Sequence, residues 1–296
     1  MRNNAVVTTS AADQHPVPAH PRPRLIATDL DGTLLRDDKS VSPRTVAALA
    51  AAEEAGIEVF FVTGRPARWM DVVSDHVHGH GLAICGNGAA VVDLHGGPGQ
   101  HRFVKLRSMQ RETALDVIQV LRAAVPGTSF AIERTGGICH ELAYPPLHMD
   151  PIITIAPVEK LLAEDFDLAD QPVLKLLAHH GELTPDEFLT LARTAVGPRA
   201  EVTRSSPTAL LEISAAGVSK ASTLALCCAE RGIRAEEVVA FGDMPNDVEM
   251  LSWAGRGYAM GNAHPDVIAA AWGRTVANND DGVAVIIEQL IAEALA

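Results

Sequence analysis

Four cysteines in 296 residues, with no C-x-x-C pairing among them, give this chain no sign of a disulfide framework. Cys227 and Cys228 lie side by side in an apolar helical stretch, where free thiols behave as small hydrophobes. A reduced, cytoplasmic setting follows as the expectation. Aromatic residues make up only 4% of the chain, so stacking platforms for bases or sugars are scarce. Positive charge is also short: 24 Lys and Arg stand against 37 Asp and Glu, a formal net charge of -13. That balance argues against nonspecific binding to nucleic acid or to an anionic membrane. An anionic substrate would have to be attracted locally, by a metal and a few placed cations. No apolar run approaches the length of a membrane span. Residues 1–22 are polar, rich in Pro and His and without an apolar signal core, and read as a disordered leader.

What remains is ordinary for a globular protein, 47% hydrophobic and 21% charged, with length for one large or two modest domains. From residue 24 short apolar runs alternate with helical patterns, the signature of a parallel sheet with crossover helices. Strands are expected at 24–28, 57–62 and 82–85. Ser42 and Pro43 start an intervening helix that Gly56 closes. After Gly86-Asn87-Gly88 the rhythm changes: 89–94 and 102–106 read as a hairpin, 108–124 as an amphipathic helix, and an α+β pattern runs to about 212. From 218 the βα pattern returns, with helix 219–231, strand 237–241, strand 273–277 and helix 282–294. The expected fold class is therefore α/β: a Rossmann-like parallel-sheet core at 23–88 and 213–296, with an α+β domain inserted at 89–212.

The most telling segment is Asp29-Leu30-Asp31-Gly32-Thr33, directly after the apolar Leu25-Ile26-Ala27. In an extended chain residues i and i+2 share a face. Two aspartates so placed repel, and the arrangement asks either for a divalent metal or for one ionised and one protonated acid. A strand followed by an Asp/Gly turn is the plain alternative. A calcium loop fails, because Thr33 and Leu34 occupy its third acidic and glycine positions and Ser40 its twelfth. His76-Val77-His78-Gly79-His80 reads as a surface loop before it reads as a metal cluster.

Three further segments end or follow core strands, where ligand sites of open α/β sheets lie. Thr63-Gly64-Arg65 offers a hydroxyl and backbone N–H groups to an anion, or simply caps a helix. Lys220 falls in the first turn of a helix, opposing the dipole, which an anion bound at the same end would explain. In Gly242-Asp243-Met244-Pro245-Asn246-Asp247, Asn246 and Glu249 have the spacing of a helix cap, whereas Asp243 precedes the cap and has no capping role. Asp243 would complete a magnesium site begun by Asp29 and Asp31.

Together, Asp29-x-Asp31-Gly32-Thr33, Thr63-Gly64-Arg65, Lys220 and Gly242-Asp243-x-x-Asn246-Asp247 resemble the four motifs of the haloacid dehalogenase (HAD) superfamily. Gly86-Asn87-Gly88-Ala89, Ala259-Met260-Gly261-Asn262-Ala263 and Asn279-Asp280-Asp281-Gly282-Val283 resemble signatures of its Cof-type phosphatase branch, and 89–212 matches that branch's large α/β cap in position and size. The resemblance implies that Asp29 is a nucleophile forming an aspartyl-phosphate and that Asp31 is the acid/base. It implies Mg²⁺ held by Asp29, the Asp31 carbonyl and Asp243, with Asp247 acting through water or orienting Lys220. It further implies phosphoryl oxygens held by Thr63, Lys220 and Asn246, with Gly64 and Arg65 beside them and Asn87 more remote. The implied activity is hydrolysis of a small phosphorylated metabolite, such as a sugar phosphate or phosphorylated cofactor, with no nucleic-acid or membrane partner. The presence of Asp31 favours phosphoryl transfer over dehalogenation.

A phosphomutase of the same fold and a noncatalytic HAD-like binding protein are the alternatives. A glycosidase, whose carboxylates stand about 5–9 Å apart, gives no reason for Lys220. Substrate choice would lie with the cap, where Arg134, His140, Lys175 and Arg204 are candidates that read equally as solvated surface residues. Oligomeric state is not legible.

Overall fold

The computed structural model describes residues 21–74, 81–97, 99–145, 152–206 and 208–295. Residues 1–20 of the expected leader and the histidine segment 76–80 lie outside them; Arg22, at the leader's end, donates to the Ala55 carbonyl at 3.0 Å. Among the described residues no helix is long and apolar enough to cross a membrane.

The first part of the chain forms β1 (Leu25–Thr28), β2 (Glu58–Val62), β3 (Leu82–Cys85), β4 (Ala90–Asp93) and β5 (Arg102–Leu106). The middle forms β6 (Ser129–Arg134), β7 (Gly137–His140), β8 (Ile152–Ile155), β9 (Val173–His179), β10 (Ala200–Thr203) and β11 (Leu210–Ala215). The last part forms β12 (Val238–Gly242), β13 (Arg256–Ala259) and β14 (Gly273–Arg274). Two sheets result, ordered β14-β13-β12-β1-β2-β3-β4-β5 and β10-β11-β9-β6-β7-β8.

In the large sheet, β1 to β3 and β12 to β14 are parallel. A parallel sheet covered by helices on both faces buries whole strands, and every residue of β1 is fully buried. The helix Pro43–Glu54 begins as its sequence indicates, with the Ser42 side chain accepting from the Thr45 N–H and Pro43 at the first turn. From β1 the chain winds outward through β2 and β3; after the insert it winds the other way through β12, β13 and β14. The reversal falls between β1 and β12, which places a crevice at their carboxyl ends. The Asp29 N–H donates to the Phe241 carbonyl at 3.0 Å there, stitching the two strand ends together.

Two expectations change. The hairpin 89–94/102–106, assigned to the insert, is β4 and β5, and it pairs antiparallel along the edge of the large sheet at β3. The hydrogen-bonded core sheet therefore runs on to Leu106. The short strand β13 was not anticipated, because Gly257 interrupts its apolar run; a side chain there would lie 2.2 Å from the Leu251 carbonyl.

The smaller sheet is antiparallel apart from β7 with β8. Its strands alternate apart from register shifts at Glu133/Arg134 and Ile138/Cys139. Phe130, Ile132, Leu176, Leu211 and Ile213 pack with Phe188 and Leu121 of the helices Pro185–Val196 and Arg111–Ala124. The off-phase residues, among them Glu133, Lys175 and Glu212, face the other way, toward the crevice. The chain crosses between the two units near residues 107 and 217. Arg107 clasps both crossings, donating to the Gly217 carbonyl at 2.8 Å and to the hydroxyls of Ser222 and Thr223 at 2.8 and 2.7 Å.

Candidate active site

Four parallel strands deliver the site from their carboxyl ends: β1 to Asp29, β2 to Thr63, β3 to the Gly86-Asn87-Gly88 turn and β12 to Asp243. The helix Lys220–Glu230 adds Lys220 at its first residue, with Ser219 and Ser222 forming a reciprocal cap.

Asp29, Asp243 and Asp247 converge, with one carboxylate oxygen of each lying within 4.8 Å of the others, all three buried. Lys220 is the cation among them, donating to Asp29 Oδ1 at 2.6 Å and Asp247 Oδ1 at 2.7 Å. The anions that explain a lysine at this helix start are thus the protein's own carboxylates. The other oxygen of Asp247 accepts from the backbone N–H groups of Asp243 and Met244, at 3.1 and 3.0 Å. The helix Val248–Trp253 begins at Asp247 without the side-chain cap expected of Asn246; Asp247 instead reaches back over the short turn Pro245–Asp247. Asp243 is left with the Thr33 hydroxyl at 3.1 Å.

Three carboxylates and one ammonium leave the cluster two negative charges in excess when ionised. Burial and the neighbouring Asp247 push the Asp243 carboxyl up to about 7. Burial also raises Asp29 well above the usual range, with Asp247 and Asp243 adding to the rise and Lys220 opposing it. Burial works to lower Lys220, but Asp247 and Asp29 outweigh it and hold the ammonium charged. A divalent cation matches both the excess charge and the all-oxygen donors, so the residues fit the expected Mg²⁺. Gly32 is required beside them: its φ is +74°, and a Cβ would sit 2.2 Å from Asp243 Oδ2.

Asp31 stands apart from this cluster. The chain turns after Thr28, so Asp29 and Asp31 do not share a face as an extended strand would have it. The Asp31 side chain is 43% exposed, gripped by the Arg65 fork at 2.6 and 2.7 Å and by Lys39 at 2.9 Å. Burial would raise its carboxyl, but Arg65 and Lys39 bring it down to about 2. Two separate sets of cations thus answer the repulsion foreseen between the aspartates.

Thr63 accepts from the Arg65 N–H at 3.1 Å and is buried. Gly64 lies under the cap: a side chain there would meet Asn87 Oδ1 at 3.2 Å and Glu212 at 3.3 Å. A cavity of about 510 Å³ opens above these groups, lined on the core side by Asp29, Asp31, Thr63, Arg65 and Trp69. Its ceiling is the off-phase face of the cap sheet, with Glu133, Lys175, Leu177, Leu210 and Glu212.

The four cap candidates are not solvated. Arg134, His140, Lys175 and Arg204 are all buried, and only Lys175 lines this cavity. Arg134 supports the cap by donating to the Leu161 carbonyl at 2.9 Å and to that of Gln171. His140 Nδ1 bonds the Glu141 carbonyl at 2.7 Å, and Arg204 pairs with Asp186 at 2.7 Å. Lys175 donates to the core's Gly64 carbonyl at 2.7 Å and to Glu212. Glu212 and Glu133 were missed. Glu133 receives the fork of Arg68, a core residue, at 2.5 and 3.1 Å. The signal was present: each acid breaks the apolar phase of a strand, as in Leu210-Leu211-Glu212-Ile213.

A family model for haloacid dehalogenase-like hydrolases matches residues 26–287. The chain belongs to that family. This HAD-like hydrolase is of the Cof type, and its reaction class is phosphoric monoester hydrolysis. It is 29% identical over 268 residues to the 5-amino-6-(5-phospho-D-ribitylamino)uracil phosphatase YcsE of Bacillus subtilis, covering 90% of this chain and 96% of that protein. It is 29% identical over 244 residues to an HMP-PP phosphatase of Yersinia pestis, covering 82% of this chain and 86% of that protein. A solved haloacid dehalogenase-like hydrolase from B. subtilis superposes with a TM-score of 0.75 at 25% identity, over 90% of this chain and 99% of that one.

Proposed function

We propose that this HAD-like hydrolase is a magnesium-dependent phosphatase that cleaves a small phosphorylated metabolite through an aspartyl-phosphate on Asp29. The observation that carries this reading is the buried cluster Asp29, Asp243 and Asp247, with Lys220 as its single cation among the described residues. Mg²⁺ would be held by the carboxylates of Asp29 and Asp243 and the Asp31 carbonyl, and when bound it supplies charge stabilisation for the transferring phosphoryl oxygens.

Lys220 holds Asp29 by Oδ1, leaving the other oxygen to attack phosphorus while the bond to the leaving oxygen breaks. Asp31 gives its proton to that leaving oxygen, then takes one from the water that attacks the acyl phosphate. Free phosphate departs and the Asp29 carboxylate returns. Asp31 is ionised while Arg65 grips it, so its first role requires the fork to release it and a proton to arrive. Thr63 and Lys220 hold phosphoryl oxygens as charge develops on them, and Asn246 borders the same cavity. The cap ceiling excludes water during attack and selects the leaving group. Four buried free thiols favour a reducing, cytoplasmic setting.

The test is phosphate release from an aryl phosphate and from a panel of phosphorylated metabolites, with and without Mg²⁺. Release should require Mg²⁺ and fall at least ~10³-fold in Asp29→Asn. Turnover that survives chelation or that substitution would sink the mechanism, and return of the phosphoryl group to a sugar would identify a mutase.

A further inference from the structure

The cap touches the catalytic floor through one continuous chain of side chains. Glu212 on β11 is 4% exposed, and both of its carboxylate oxygens accept hydrogen bonds. Ser205 donates to Oε1; Lys175 donates to Oε2, and so does the core's Asn87, from Nδ2 at 2.8 Å. An ionised carboxylate only accepts hydrogen bonds. Asn87 must therefore present its NH₂ to Glu212 and its carbonyl oxygen away from it. That oxygen accepts from Asn246 Nδ2 at 3.1 Å.

The polarity of the chain is fixed from one end to the other. Lys175 keeps Glu212 anionic, Glu212 sets the amide of Asn87, and Asn87 sets the amide of Asn246. The far end is Asn246 Oδ1, buried and without a hydrogen-bond partner among the described residues. A buried acceptor left unsatisfied is costly, so its persistence points to a ligand donor. Asn87 itself holds a left-handed backbone, φ +55°, and its N–H donates to the Thr63 carbonyl at 3.0 Å. The relay thus runs along the same turn that positions Thr63.

We propose that Glu212 is a positioning residue. Acting through Asn87, it orients Asn246 so that Oδ1 presents an acceptor to a hydroxyl or amine of the bound substrate, and it does so only while the cap is seated. The inference rests on the phosphatase reading for its kinetic consequence. The orientation of Asn246 itself depends on neither substrate nor turnover.

Asn87→Gly cuts the relay without straining the backbone, since glycine adopts a positive φ freely. With the wild type active in the same assay, kcat for the best metabolite of the panel should fall roughly tenfold or more. Thermal unfolding should fall only modestly, because Glu212 keeps its Lys175 and Ser205 donors. Adding Asn246→Ala to Asn87→Gly should cost little beyond either change alone, because both break one path. Effects that simply multiply, or an Asn87→Gly enzyme with wild-type kinetics, would overturn the proposal. A wild type that releases no phosphate would instead refute the phosphatase reading. In that case the side-chain amide resonance of Asn246 decides: it should shift in both Asn87→Gly and Glu212→Gln, and an unmoved resonance overturns the relay.

Discussion

Glu212 and Asp243 are buried to nearly the same degree, 4% and 7% exposed, yet their surroundings pull them in opposite directions. Burial raises both carboxyls. At Glu212 the Lys175 ammonium and the Ser205 hydroxyl outweigh it, and the net shift is downward. At Asp243 the nearest charge is another carboxylate and the nearest donor a lone hydroxyl, and the carboxyl rises to about 7. One acid is complete within the protein and the other is not. Desolvation alone does not mark a functional group; the shortfall of partners does.

The largest effect should follow from opening the complete pair. Glu212→Ala would leave the Lys175 ammonium buried without its carboxylate, costing roughly 3–5 kcal/mol. A scanning calorimetry midpoint lowered by about 10 °C is expected. A change of only a degree or two would put Glu212 outside the structural core of the cap interface. The same operation at the incomplete acid should have the opposite sign. In metal-free protein at pH 8, Asp243→Asn removes a charge the fold cannot satisfy and should stabilise by on the order of 2 kcal/mol, while magnesium-dependent phosphate release is lost. Destabilisation would mean that Asp243 has a stabilising partner beyond the Thr33 hydroxyl.

The smallest and most diagnostic effect is in pH. Because the folded carboxyl of Asp243 titrates at about 7 and an ordinary one at 3.8, the folded state holds that proton more tightly. Its contribution is present at low pH and is lost as pH rises through that window. Denaturant titrations of metal-free protein should show this decline, and Asp243→Asn should flatten it. Glu212 runs the other way, keeping its contribution above the ordinary carboxylate range and losing it only as pH falls through and below that range. A decline unchanged by Asp243→Asn would assign the slope to Asp29.

The floor of the candidate site was legible because its residues sit where local rules speak. Asp29, Thr63 and Asp243 each follow an apolar strand, and parallel strands bring such ends to one edge. The geometry between Asp29 and Asp31 was not legible, since extending the strand by two residues places them on one face and a turn does not. Asn246 was read as a cap because its spacing to Glu249 fits; the helix instead begins one residue later, at Asp247, with no side-chain cap. The cap was obscure for a different reason. Arg134, His140, Lys175 and Arg204 are charged or polar side chains on short strands and loops, and only tertiary contacts make them buried. Glu212 escaped notice because one acid in a strand ordinarily marks the wet face, and here the cap covers that face with the catalytic core.

The clasp of Arg107 has a mechanical consequence. Both passages of the chain between core and cap run beside the start of the helix that carries Lys220. In any rotation about those passages, displacement grows with distance from the axis. Lys220 and the turn that carries Asn87 sit close to the fulcrum, since Gly88 accepts from the Thr223 hydroxyl at 2.8 Å and Ala89 accepts from the Arg107 N–H at 2.8 Å. A hinge at those passages would therefore leave the charged floor in place however far the ceiling moved.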